Sequence, residues 1–412
     1  MYLYFVIPLA QNYLYTKMRK LLLSTLLVSL CSLSIAQEKS EKETTGYKFT
    51  DVKRLPVTYV KSQDNTGTCW SWSSLSFFES EMIRAGKDSV SLAPMFVVWN
   101  AYDYKAEKYV RMHGHVNFAQ GGAFADVLWT LRERGFMPLE AYKGLEYGED
   151  KHRHGELEAV LKAYVDAVVE NENGRLSTAW RKGLDGVLDA YLGVKPNEFT
   201  YKGKKYTPRT FADNVTGLNP DDYVCLTSYT HHPFYTKFAI EVEDNWLGEQ
   251  NYNLPLDEFM DVLDKAIDNG YTFAWGADVS ERGFSRKHGI AVSLDEKAIA
   301  KDIEGYDKMT RREKDEILYS FKTVQPEITV TQEMRQKSFD NYETTDDHGM
   351  HILGKAVDQN GNKYFIVKNS WGDYGDYKGY IYVSYPYVAY KTMNVMINKN
   401  ALSKELRKKL GI

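Results

Sequence analysis

The chain has 412 residues, of which 43% are hydrophobic and 26% charged, with a formal charge of −4 and a sequence pI near 6.2. That length supports a substantial core in one large or two moderate domains. The near-balanced charge, with no basic block interleaved with aromatics, argues against nucleic-acid binding, and three cysteines are too few for a disulfide framework.

The amino terminus reads as a targeting signal, assigned to residues 1–36. Met18-Arg19-Lys20 gives a basic head, Leu21 to Ile35 an apolar run, and Ser34-Ile35-Ala36 a small-residue site before polar Gln37-Glu38-Lys39. Met18 begins a normal signal by itself, so the first seventeen residues read as an upstream extension. Leu30 stands where a lipoprotein signal would need a small residue before Cys31, and the apolar run is shorter than the roughly 20 residues that span a bilayer. The expectation is cleavage after Ala36, export to the periplasm or beyond, and no stable membrane span afterwards. Cleavage removes Cys31 and leaves Cys69 and Cys225.

Residues 37–54 read as an extended segment. After them comes Gln63-Asp64-Asn65-Thr66-Gly67-Thr68-Cys69-Trp70-Ser71-Trp72. Trp72, Leu75, Phe78 and Met82 recur at spacings of three and four, which predicts a helix from near Cys69 to Gly86 with one apolar face. A thiol is mostly protonated at neutral pH, and a place in the first turn of a helix, beside an imidazolium, lowers its pKa. Gln120-Gly121-Gly122 precedes a helical stretch, Ala123 to Arg134, that ends at Gly135 and is followed by Met137-Pro138-Leu139-Glu140-Ala141-Tyr142. Adjacent glycines allow a backbone to approach an extended peptide closely.

The middle of the chain is helical over 151–192, interrupted at Gly174, with Leu157, Val160, Leu161, Tyr164 and Val168 at helical spacing. A short amphipathic helix covers Asp257 to Asp268 between Pro255 and Gly270, and Tyr271 to Val279 suits a buried strand. The pairs His113/His115, His152/His154 and His231/His232 lack the i, i+4 spacing or accompanying carboxylates of a metal site, so no metal is expected. Asn214-Val215-Thr216 is an incidental glycosylation sequon.

His348 opens an apolar stretch, Met350 to Val357, that the Asn360-Gly361 pair folds into a hairpin with Tyr364 to Val367. An ideal hairpin on that turn sets Asn369 opposite Ile352, four residues from His348, so a bulge, a strand end or a longer turn has to bring the two together. His351, at an odd offset from His348, points to the other face of a regular strand. Leu402 to Leu410 reads as a final helix followed only by Gly411 and Ile412, which reach at most about 7 Å.

Cys69, His348, Asn369 and Gln63 supply a thiol nucleophile, an imidazole base, an amide to orient the base and an amide donor for an oxyanion, the parts of a cysteine acyl-transfer site. Singly, each has a structural reading as a buried small hydrophobe, a core hydrogen-bonder or a turn. The order Gln63, Cys69-Trp70, His348-Gly349-Met350, Asn369-Ser370-Trp371-Gly372 resembles the papain superfamily. Gly270 to Val279 and Asn253-Leu254-Pro255-Leu256-Asp257 resemble its bleomycin hydrolase and aminopeptidase C branch, over roughly residues 55–400.

The resemblance implies an α+β papain-like fold: a mainly helical lobe with insertions, 55–269, carries Cys69, a β-rich lobe, 270–400, carries His348 and Asn369, and 401–412 form a terminal helix and tail. It implies that Asn369 fixes the imidazole of His348 while Trp371 covers their bond, and that Gln63 joins the Cys69 N–H at the oxyanion. Trp70 supports the site, and Gly121 and Gly122 line the substrate cleft. Peptide substrates, no cofactor, and the branch's hexamer follow from the same likeness. In that branch the chain end enters the cleft and imposes aminopeptidase action, for which the short tail here leaves little reach. The alternatives are an open-cleft endopeptidase, an amidase acting on a non-peptide conjugate, and a silent binding protein. Thr66 stands where many secreted papain-like enzymes have a cysteine. The branch is mostly cytosolic, and an exported member departs from it.

Overall fold

Residues 46–412 are described in the computed structural model. The expected signal peptide, with Cys31 and the start of the 37–54 segment, lies outside them. Gly46–Ile412 cluster as one unit. In chain order the elements that matter here are β1 (Thr50–Arg54), α1 (Cys69–Arg84), α2 (Pro94–Arg111), α3 (Phe124–Glu133), α4 (Gly155–Val169) and α5 (Ala179–Leu192), then β2 (Tyr223–Thr227), β3 (Lys237–Ala239), β4 (Gln250–Asn253) and α6 (Leu256–Asp268). The rest are β5 (Phe273–Ala277), β6 (Phe284–Ser285), β7 (Ile290–Ala291), β8 (His348–Val357), β9 (Lys363–Lys368), β10 (Tyr380–Ser384), β11 (Thr392–Asn398) and α7 (Lys404–Leu410).

Eleven strands among the described residues make one sheet in the order β3-β4-β2-β11-β5-β8-β9-β10-β7-β6, with β1 beside the far half of β8. Successive side chains of a strand point to opposite faces, and the core divides accordingly. Phe273, Trp275 and Ala277 of β5, Met350 and Ile352 of β8, and Val395 and Ile397 of β11 enter one apolar cluster with Phe259, Leu263 and Ile267 of α6. Ala274 and Met396 point the other way, into the cluster built by α1 to α5. This is the expected α+β arrangement of a helical layer against a β-rich one. The boundary expected at 269/270 does not divide them, because β2, β3, β4 and α6 come from upstream of it and join the sheet side.

The helix that begins at Cys69 is more deeply set than its apolar periodicity implied. Every residue of α1 from Trp70 to Met82 is buried, not one face alone. Serines make this feasible, since they are small and three of the hydroxyls find carbonyls: Ser71 donates to Pro94 O at 3.0 Å, Ser73 to Cys69 O at 2.8 Å and Ser80 to Pro56 O at 3.2 Å. Glu79, fully buried, accepts from Thr58 Oγ1, from Lys61 Nζ at 2.6 and 2.7 Å and from the Leu92 N–H at 2.8 Å. Lys368, the last residue of β9, donates in turn to Thr58 Oγ1 at 3.0 Å.

At the other end of the chain, Ser403 caps α7 and Gly411 closes it with φ +70. Leu406 and Leu410 enter the cluster that holds α6, and Lys409 Nζ lies 3.3 Å from Glu258 on α6.

Removing one member of a buried, hydrogen-bonded charge pair leaves the other uncompensated, so Glu79→Leu is expected to lower unfolding stability by about 3–5 kcal/mol. Urea unfolding of the variant checks this. A loss under about 1 kcal/mol, the range of an exposed pair, would show that Glu79 does not hold the layers together.

Candidate active site

Cys69 is the first residue of α1, after Thr68. Its own N–H, at the helix start, has no intrahelical acceptor. Trp70 donates from Nε1 to Gln120 O at 3.0 Å, while the Gly67 N–H donates to Gln120 Oε1 at 2.8 Å. The sequence-distant loop 119–122 is thereby fixed against the nucleophile. Buried Lys105 of α2 completes the hold, donating to Ala119 O at 2.8 Å and Gly121 O at 2.6 Å. With three successive carbonyls of the loop turned inward, Gly122 keeps both its backbone groups unpaired among the described residues and lines the cleft. A Cβ at Gly122 would fall 2.5 Å from Asp126 Oδ2 and 2.9 Å from the Trp70 ring, so only glycine permits this approach.

His348 begins β8 and is 5% exposed. Its Nε2 and Asn369 Oδ1 are 2.8 Å apart, and the Ser370 N–H donates to the same Oδ1 at 2.7 Å, which fixes the amide's orientation. Trp371 stacks on the imidazole with centroids 4.5 Å apart and planes at 21°, and the Arg286 guanidinium lies 4.0 Å from the Trp371 ring. Nδ1 of His348 makes no hydrogen bond among the described residues. The four-residue offset of the ideal hairpin is absorbed in three places. The turn runs over 358–362, Leu353 is extruded as a bulge so that His351 pairs with Lys368, and Asn369 leaves the ladder to donate its N–H to Gly379 O at 3.0 Å.

His351 takes the other face, as the odd offset requires. Fully buried, it meets Ser76 Oγ of α1 through Nδ1 at 2.9 Å. Gly349 between the two histidines lets α1 close on the strand, since a Cβ there would fall 2.8 Å from Ser73 Oγ.

Gln63 is 5% exposed and tied to the turn after Asn369: its N–H donates to Ser370 O at 2.8 Å, and its Oε1 accepts from Ser370 Oγ at 2.6 Å. One Nε2 hydrogen goes to Thr66 O at 2.7 Å, and the other is uncommitted. Gln63 is not among the residues that line the cleft.

That cleft brings together Cys69, Trp70, Gly122, His348, Asp244 and Asp346 on its walls. Gly121 lies just behind, against the Asp244 carboxylate. The electrostatics differ from the expected activated thiolate. Burial pushes the Cys69 thiol up to about 12, the Gly349 N–H opposes the rise, and the carboxylates of Asp346 and Asp244 add to it. Burial also draws the His348 imidazole down to about 4, with the Asn369 hydrogen bond opposing and Arg286 adding. Burial thus favours the neutral form of each group, against the helix start that favours a thiolate.

The acidic wall was missed from sequence. Asp346-Asp347 directly precede His348, a signal that could have been read, whereas Asp244 carries none. The histidine pairs also need one amendment. His231 and His232 do have a carboxylate, since Glu241 meets their Nε2 atoms at 3.1 and 2.9 Å in an exposed, mutually hydrogen-bonded set. His154 is fully buried and driven down to about 3 by burial, and neither of its ring nitrogens has a partner.

Comparison with known proteins agrees with this layout. The Peptidase C1-like family matches residues 192–411, a stretch holding His348 and Asn369 and more than half of the chain. Aminopeptidase C of Streptococcus thermophilus is 21% identical over 395 residues, 84% of this chain and 81% of that protein. Aminopeptidase C of Lactococcus lactis subsp. cremoris is 22% identical over 392 residues, 86% and 83% of the two chains. The crystal structure of PepW from Lactobacillus rhamnosis superposes with a TM-score of 0.66 at 19% identity, covering 98% of this chain and 95% of that one. The chain belongs to the Peptidase C1-like family and is a papain-like cysteine peptidase.

Proposed function

We propose that this peptidase is an exported aminopeptidase in which Cys69 is the nucleophile, His348 the base and acid, and Asn369 the residue that positions the imidazole. The observation that carries the reading is the 2.8 Å contact of His348 Nε2 with Asn369 Oδ1, under Trp371. It leaves Nδ1 as the only nitrogen free to exchange a proton, on a ring lining the cavity of Cys69. Sγ attacks the peptide carbonyl as Nδ1 takes the thiol proton. The Cys69 N–H receives the oxyanion, and the resemblance assigns the second donor to the uncommitted hydrogen of Gln63 Nε2, which stands behind the residues that line the cleft. Nδ1 then protonates the departing amine, leaving a thioester, and a water that gives its proton to Nδ1 hydrolyses the thioester to free Sγ. The unpaired backbone of Gly122 suits an extended peptide.

Aminopeptidase action is supported by the names of the relatives. None of residues 399–412 is among those that line the cleft, and open-cleft endopeptidase action is the second reading. Cleavage of matched fluorogenic peptides with free and acetylated amino termini separates the two. Strong preference for the free amine supports the first reading, and equal cleavage the second. In either case Cys69→Ala abolishes hydrolysis, and His348→Ala lowers kcat by about 10²–10⁴-fold. Hydrolysis that survives Cys69→Ala would sink the mechanism.

The pH profile tests the base. An imidazolium cannot accept the thiol proton, so activity falls as pH drops through the folded pKa of His348. That places the acid limb of kcat/KM near about 4, below the ordinary 6.5. Asn369→Ala removes a hydrogen bond that favours the charged ring, so it moves the limb lower still while reducing kcat. A limb that stays at 6.5 in both proteins would show that His348 is not the group titrating.

Export rests on Met18 to Ala36. The protein recovered from the periplasm or medium is expected to begin at Gln37 by amino-terminal sequencing. An uncleaved chain confined to the cytoplasm would remove this part of the reading.

A further inference from the structure

Outside the cleft of Cys69, three side chains able to ligate a metal meet at one point. His231 and His232 stand in the loop between β2 and β3, and Glu241 follows β3. The Nε2 atoms of the two histidines lie 3.1 and 2.9 Å from the Glu241 carboxylate, one at each oxygen, and the three ligand atoms fall within 4.8 Å of one another. In a tetrahedral zinc site with bonds of about 2.0–2.1 Å, the ligand atoms stand about 3.3 Å apart. The two nitrogen–oxygen distances are therefore already close to the edge of such a site.

Adjacent residues of an extended segment point to opposite faces, so a framework is needed to make these two histidines converge. Fully buried Asn253 of β4 supplies it by clamping the loop: its Nδ2 donates to Tyr229 O at 2.7 Å and to His232 O at 2.9 Å, and its Oδ1 accepts the Tyr229 N–H at 2.9 Å. Packing fixes the rings, with His232 stacked on Phe238 at 4.2 Å between centroids and His231 on Phe339 at 5.6 Å. Nδ1 of His231 faces the amide of Gln336, which is 8% exposed on the helix Gln332–Asp340, with Nε2 at 3.0 Å and Oε1 at 3.3 Å. The Thr230 N–H, 2.5 Å from Oε1, holds that amide in place. A buried hydrogen-bonding group on the inner nitrogen is what orients a metal-bound imidazole and presents its outer nitrogen. The surroundings favour a cation as well. The groove that Glu241 lines also carries Glu243, Asp244, Asp340 and Asp346, and no lysine or arginine is among its lining residues.

We propose that His231, His232 and Glu241 bind one divalent transition-metal ion of the zinc class, with the remaining position left to water. Two imidazoles and a carboxylate suit zinc and its neighbours, whereas magnesium and calcium take oxygen ligands. Each Nε2 gives a lone pair, the two neutral rings carry their protons on Nδ1, and for His231 the acceptor of that proton is Gln336 Oε1. No ligand is oxidised or reduced. The site shares no residue with the Cys69, His348 and Asn369 set and does not depend on how that set is read. Its consequence for the cleft is mechanical. The ion joins the loop after β2 to the segment after β3, and Val242 and Asp244 of that segment line the cleft, so an occupied site braces one of its walls from outside.

The test is calorimetric titration of Zn²⁺ into the Cys69→Ala protein, in which the thiol cannot serve as a ligand, with thermal midpoints confirming that each further variant is folded. One equivalent is expected to bind and to raise the thermal midpoint. Affinity falls by roughly 100-fold or more in His231→Ala, His232→Ala and Glu241→Gln, and by about 10-fold in Gln336→Ala, which removes only the orienting amide. His113→Ala/His115→Ala, at another exposed histidine pair, keeps the full affinity. Independently, Co²⁺ gives a visible absorption band of four-coordinate intensity that is lost in His231→Ala/His232→Ala. The absence of saturable binding, or binding of equal affinity in the folded His231→Ala/His232→Ala protein, would overturn the site. Zinc held by the parent but not by Cys69→Ala would overturn it too, by placing the ion on the thiol.

Discussion

The buried carboxylate of Glu79 is the joint on which the site depends. It sits in the helix that carries Cys69, and its partners come from the two other pieces of chain that the site requires. Thr58 and Lys61 lie in the segment that leads to Gln63, and Lys368, which immediately precedes Asn369, reaches the same cluster through Thr58. A single charge thus sets the register of Cys69, Gln63 and Asn369 relative to one another. Lys368 shows what such a placement demands: burial draws its ammonium down to about 7, against the favourable pull of Glu79. Water cannot replace these partners in the interior, so the three segments are locked together or the cluster is left uncompensated.

What could be read from the sequence and what could not divide along a physical line. Features encoded by local patterning were legible. The helix predicted over Ala123 to Arg134 is found at Phe124–Glu133, that over Asp257 to Asp268 at Leu256–Asp268, and the 151–192 stretch breaks into two helices around Gly174. The parity of His348 and His351 was also legible, because alternation is a property of any strand. The assignment of β2 to β4 to the sheet was not. Each is three to five residues long, and they reach the sheet through β2, which pairs with β11 far along the chain. Nor could the pattern of α1 reveal that its polar face is buried. Serines read as a solvated face until the carbonyls that receive their hydroxyls are in place.

The same limit applies to charge. The motif residues name the atoms that react, but the protonation state of those atoms is a sum over neighbours that only folding assembles. A thiol at a helix start reads as an activated thiolate, and in isolation the dipole would make it so. In the folded protein the thiol and the imidazole are both desolvated, and each is displaced toward its neutral form.

The glycine pair at 121 and 122 has two separate reasons to lack side chains. A Cβ at Gly122 would fall 2.5 Å from Asp126 Oδ2 and 2.9 Å from the Trp70 ring, and one at Gly121 would fall 2.0 Å from Asp244 Oδ2, so the loop can lie between the helix of Cys69 and the segment that carries Asp244 only without side chains at both positions.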